Sequence, residues 1–140
     1  LAMPAEIQLD HDGDLTESDL SGMEILGLDE RHALRREVER ICESTGARLN
    51  RDFEGTSLDT LRQMVVMGMG LAFLPALYVR SEIHRPEELR VERLSGGRLF
   101  REHALLYRRN APSRHFYREL TQHIRRVIET ELADTVVPVA

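Results

Sequence analysis

Residues 53–77 read FEGTSLDTLRQMVVMGMGLAFLPAL. In Thr56-x-x-Asp59 a hydroxyl and a carboxylate stand where they can satisfy the free N–H groups of a first helical turn. Leu58, Leu61 and Val65 then recur at helical spacing, and Gly68 or Gly70 ends the run, which predicts a helix over 56–68. GLAFLP (70–75) is short, apolar and halted by Pro75, the pattern of a buried strand. With RLNRDFEG (48–55) in front of it, the segment 51–75 predicts a strand-helix-strand unit of the parallel α/β type, because parallel neighbours need a crossover of about this length.

Working toward the N-terminus, LDERHALRREVERICESTGARL (28–49) predicts a helix over 29–44. Its apolar positions Leu34, Val38, Ile41 and Cys42 share one face, and Gly46 is placed to cap it. MEILGL (23–28) reads as a buried strand, the acidic stretch 9–22 as a loop, and LAMPAE (1–6) as an opening strand. Toward the C-terminus come a short strand near LRVERL (89–94), a Gly96-Gly97 turn and a strand at HALLYRR (103–109). A final helix over 113–132 carries an apolar stripe of Phe116, Leu120, Ile124, Val127 and Ile128.

Composition narrows the function classes. The chain has 140 residues, 41% of them hydrophobic, which suffices for one domain or for a lobe of one with part of another. The longest apolar run, 64–79, is broken by Gly68, Gly70 and Pro75, so no membrane span is expected. The first residues lack the pattern of a secretory signal, and a cytoplasmic location is expected. A net charge of −5 argues against this stretch wrapping a phosphate backbone itself. Cys42 is the one cysteine, so no internal disulfide is available. Neither a Gly-rich phosphate loop, a Gly-x-Ser-x-Gly elbow nor a paired-cysteine zinc spacing occurs, and no enzymatic activity and no cofactor are expected. His115, Glu119 and His123 fall on one helix face, but not at the spacing of a zinc hydrolase, and no metal is expected there.

The Thr56-Ser57-Leu58 helix start, followed by Gly68-x-Gly70-Leu71-x-x-Leu74-Pro75, resembles the regulatory, effector-binding region of LysR-type transcriptional regulators. The likeness runs from about residue 26 to 132, is similar to the OxyR-like peroxide sensors, and continues through HALLYRRNAPSRHFYREL. It implies a periplasmic-binding-protein-like (type II) α/β fold of two subdomains joined by crossing strands. Residues 1–98 would form subdomain II, and 99–140 would return to complete subdomain I. The winged helix-turn-helix would lie outside this chain, so promoter DNA would be bound elsewhere. A homodimer or tetramer and a small-molecule effector or peroxide are the implied partners.

In that subgroup the segment matching ERHALRREVERIC carries a peroxide-reactive cysteine after its histidine and a resolving cysteine nine residues later. Here His32 is present, Cys42 matches the resolving position, and the reactive position is Ala33. A methyl group can neither attack peroxide nor pair with a thiol. The chain would be either a variant trapped in the reduced form or a natural relative that senses something else. The resemblance places His32, Arg35, Thr56 and Ser57 at an effector cleft, Arg35 having an alternative as a partner for Glu39. A helix start such as Thr56-Ser57 favours anions, though plain capping explains the same residues. Leu58, Met64, Val65 and Met67 are the implied dimer contacts. A sensor of a small organic acid and a solute-binding protein of the same fold are the alternative functions.

Overall fold

The computed structural model describes residues 1–9, 11, 13–85, 87–96 and 99–139. In chain order come β1 (Ala2–Pro4), a 3-10 turn (Glu17–Leu20), β2 (Glu24–Leu28), α1 (Ala33–Thr45) and β3 (Arg48–Gly55). Then follow α2 (Leu58–Val66), β4 (Leu71–Ala72), α3 (Ala76–Glu82), β5 (Leu89–Val91) and α4 (Arg114–Glu131).

The strands form a sheet in the order β3-β2-β4-β1-β5. β2 runs parallel to both β3 and β4, whereas β1 is antiparallel to β4 and β5. The crossover expected over 51–75 is therefore present, with β2 lying between the two strands it joins. Alternation along the strands sorts side chains onto two faces. Leu1, Met3, Ile25, Leu71 and Phe73 meet Val38, Ile41 and Cys42 of α1 together with Leu15 and Leu20. Ala2, Leu26, Leu28 and Ala72 meet Leu61, Met64 and Val65 of α2. The result is an α/β sandwich with one helix on each face. At Gly70, φ is 152°, and a Cβ there would lie 3.0 Å from Leu26 Cγ, so only glycine lets the chain turn this close against β2.

Several boundaries differ from the sequence reading. α1 begins at Ala33, not Asp29, because residues 29–32 form a turn in which Asp29 O accepts from His32 N at 3.1 Å. Its far end is the expected one, at Gly46. α2 begins at Leu58 with Ser57 as its cap: Ser57 Oγ accepts from Thr60 N at 3.1 Å, so the Thr56–Asp59 box does not form. α3 was not foreseen; Pro75, read only as a strand stop, also stands at its N-cap. Residues 103–109 are not a strand, since among the described residues no neighbouring strand completes their hydrogen bonds. Gly96 has φ 69°, while Gly97 and Arg98, where the turn and the boundary at 98 were expected, lie outside the described residues.

By compactness the chain divides into Leu1–Arg101 and Glu102–Ala140. The first unit contains the sheet and both apolar clusters. In the second, α4 has no buried residue, and its expected stripe is uncovered at Phe116 and Ile124. Tyr107 stacks on Tyr117, with ring centroids 5.2 Å apart. Among the described residues no helix is long and apolar enough to cross a membrane.

Candidate functional site

The turns that precede α1 and α2 leave adjacent parallel strands at the same level, since Leu28 of β2 is in register with Gly55 of β3. Asp29 N donates to Gly55 O at 3.0 Å and ties the two turns together. Both lie at the carboxyl ends of parallel strands, where open α/β sheets place their ligands. His32, Thr56 and Ser57 therefore belong to one end of the sheet.

The Asp29 carboxylate organises the first turn. Oδ1 accepts from Arg31 N at 3.0 Å and from Arg31 Nε at 3.1 Å, and Oδ2 accepts from Arg31 Nη2 at 2.8 Å. Hydrogen bonding from Arg31 holds the Asp29 carboxyl down at about 2. His32 Nε2 lies 3.9 Å from the same carboxylate, and its side chain is 41% exposed. The sequence reading missed Asp29 and Arg31; a carboxylate two residues before an arginine, at the exit of a strand, was the available signal.

Arg35 is a buried charge, at 4% exposure. Its Nη1 donates to Leu28 O at 3.0 Å and to Glu54 Oε1 at 2.8 Å, and its Nε donates to Glu39 Oε1 at 2.9 Å. Burial opposes its charge, but the Glu39 and Glu54 contacts outweigh that and raise its pKa above the ordinary arginine value. The guanidinium passes over Gly27, where a Cβ would lie 3.1 Å from Nη1. Arg35 thus bolts α1 to β2 and β3, and its donors face two carboxylates instead of an open cleft. The pairing with Glu39 is present, at 2.9 Å.

Ala33 and Cys42 lie on one unbroken helix. Nine residues at 1.5 Å each separate their Cα atoms by about 13 Å, beyond the roughly 7 Å reach of a disulfide. Cys42 is buried, and burial raises its thiol pKa above the ordinary value. Beside it opens a shallow hollow of about 170 Å³, lined by Glu39, Cys42, Glu43, Ala47, Leu49 and Arg51. At the other helix, Thr56 is exposed and Ser57 half-buried, with Ser57 Oγ 3.1 Å from Thr60 Oγ1. Ser57 is already engaged as a cap, which leaves Thr56 the freer hydroxyl.

Of the expected dimer contacts, Met67 is 73% exposed and Leu58 half-buried. Met64 and Val65, at 9% and 0%, belong to the core under the sheet, where their own chain covers them. Among the described residues no cluster of His, Cys, Asp or Glu could hold a metal ion.

Comparison with known proteins accounts for this arrangement. Residues 1–129 match the family model described as the LysR substrate binding domain. The chain is 36% identical over 108 residues to the DNA-binding transcriptional dual regulator OxyR of Escherichia coli K12, a match spanning 77% of the chain and 35% of that protein. It is 35% identical over 118 residues to the hydrogen peroxide-inducible genes activator of Dickeya chrysanthemi, again spanning 77% and 35%. The chain therefore spans about a third of the length of these relatives. Among solved structures, the reduced form of OxyR superimposes with a TM-score of 0.72 at 29% identity, covering 92% of this chain and 59% of that one. The oxidised form gives 0.66 at the same identity, covering 92% and 60%. With its sheet order, its paired turns and the match over residues 1–129, the chain belongs to the LysR substrate-binding domain family.

Proposed function

We propose that this chain is the sensing part of an OxyR-like transcription regulator that does not switch by a thiol-disulfide latch on α1. The observation that carries the reading is Ala33 at the first position of α1, on one continuous helix with a buried Cys42. Whether that alanine is natural or introduced, the chemistry is the same: position 33 offers peroxide no sulfur. Residues 1–98 act as subdomain II and 99–140 contribute to subdomain I. DNA is contacted by a domain outside this chain, and the regulator works in the cytoplasm as a homodimer or tetramer, with Leu58 and Met67 at the contact.

Signalling is then a population shift: an effector bound at the paired turns by His32, Thr56 and Ser57 favours one arrangement of the assembly over another. To test the loss of peroxide switching, the protein is treated with stoichiometric hydrogen peroxide and followed by intact mass and thiol titration. Cys42 should remain a thiol over minutes, because it is buried and its thiolate disfavoured. Rapid, complete conversion to a sulfenate or an intermolecular disulfide would sink the proposal.

A second reading, a sensor of a small organic acid, is favoured by the hydroxyls of Thr56, Ser57 and Thr60 at the start of α2. A thermal-shift screen of small carboxylates should give stabilisation that grows with ligand concentration and disappears in Thr56→Val. Stabilisation that survives Thr56→Val places the ligand elsewhere.

A further inference from the structure

The connection between β1 and β2, residues 5–23, is held against the stretch that follows β5. Leu15 and Leu20 plug the α1 face of the core at 1% and 0% exposure. Ser95 N donates to Leu15 O at 2.7 Å, and Thr16 bridges to Ser95. A third attachment is a side chain. His11 Nε2 lies 2.8 Å from Glu92 Oε2, and His11 Nδ1 lies 2.8 Å from Gly13 O. Both side chains are only 14% exposed.

A backbone carbonyl and a carboxylate can only accept. Both ring nitrogens of His11 must therefore carry a proton for both contacts to exist, which defines an imidazolium. A neutral ring has one N–H and turns a lone pair toward one of the two acceptors. We propose that His11 is a protonation-dependent clasp, which holds the 5–23 connection onto residues 92–95 while its ring is charged and loosens it once the ring is neutral.

The charged surroundings agree with a one-proton device. Glu92 is ion-paired through its other oxygen with Arg90, so the carboxylate keeps a cation after His11 discharges. Asp19, on the same connection, adds attraction for a charged His11. Hydrogen bonding to Glu92 is the main cause that raises the His11 pKa above 6.5. The sign follows: a raised histidine stabilises fully below the unfolded value near 6.5, and the contribution is lost as pH rises through the folded value. Arginine or lysine at this position would not titrate in that range.

The test is an NMR titration of the whole chain, reading the ring signals of its six histidines and the exchange protection of the Ser95 amide relative to that of Asp29. His11 should titrate above the ordinary histidine value near 6.5, and Glu92→Gln should bring its midpoint down. The Ser95 protection should fall several-fold, relative to Asp29, through the His11 midpoint. His11→Arg should keep that protection on the alkaline side, and His11→Gln should make it independent of pH. An ordinary His11 midpoint, a midpoint indifferent to Glu92→Gln, or Ser95 protection that stays level while His11 titrates would each overturn the clasp. Should Glu92→Gln unfold the chain, the two His11 variants decide alone.

Discussion

Arg35 stands where a sequence reading weighs a ligand against an ion pair, and three short contacts hold it to Glu39, Glu54 and the Leu28 carbonyl. Arg35→Met should lower stability by about 2 kcal/mol, less than the roughly 3–5 kcal/mol of a sealed pair, because Glu39 and Glu54 can rehydrate. Gly27→Ala should cost about 1 kcal/mol by crowding the guanidinium and Leu49. In the Arg35→Met background it should cost less, so a double-mutant cycle from urea midpoints should show coupling. Additive costs would mean that Gly27 does not make room for Arg35. Cys42 gives a prediction of the opposite sign to a carboxylate. Its thiol pKa is raised by burial, so its stabilising contribution is fully present below the ordinary value of 9.0 and is lost as pH rises from there through the higher folded value. Cys42→Ala should flatten the decline of the unfolding free energy above pH 9, read from denaturant titrations at several pH values. The partners of Arg35 were only half legible in the sequence. Glu39 is one helical turn away, whereas Glu54 comes from another strand and Leu28 contributes a backbone oxygen, and neither has a local spacing to reveal it.

At the scale of elements, periodicity served where an element packs on the sheet and failed where it does not. α1 and α2 bury one side each and β2 buries residues on both faces, so their apolar spacing marked them. The helix starts were less legible, because several hydroxyls and carboxylates compete for the same free N–H groups. Ser57→Ala should cost about 1 kcal/mol, while Thr56→Ala should stay within about 0.5 kcal/mol. Equal costs, measured as urea midpoints, would return the cap to Thr56. Residues 103–109 have the composition of a strand, but a ladder needs a neighbour, which the sequence of a single segment does not specify. α3 lacks any buried residue, so it left no hydrophobic pattern to read.

For the molecule as a whole, the two units carry unequal shares of the stability. None of the described residues beyond 101 is buried, whereas the first unit holds both apolar clusters. A chain ending at Arg101 should unfold cooperatively with a midpoint within about 4 °C of the parent, a difference of about 1 kcal/mol. In hydrogen exchange, α4, which has no buried residue, should lose protection well before β2 and β4, which lie in the apolar clusters. A large fall in the midpoint on truncation would show that 102–140 supports the sheet. The uncovered stripe of α4 was visible in the sequence as a pattern, but a pattern says only that a surface wants covering.

Between Ile25 and Gly27, β2 advances two residues while its partner advances from Leu49 to Glu54, so β3 carries three residues that have no opposite number. Asn50 closes that excursion on itself by accepting from Asp52 N at 2.9 Å and Phe53 N at 3.0 Å. Extra length at Arg51 or Asp52 would therefore extend a detour already excused from pairing, and the strand on either side would keep its alignment. A fluorophore or short peptide grafted there gives a reporter that rides beside α1 without loosening the bolt at Glu54, whereas the same graft at Leu49 would shift every side chain that follows it.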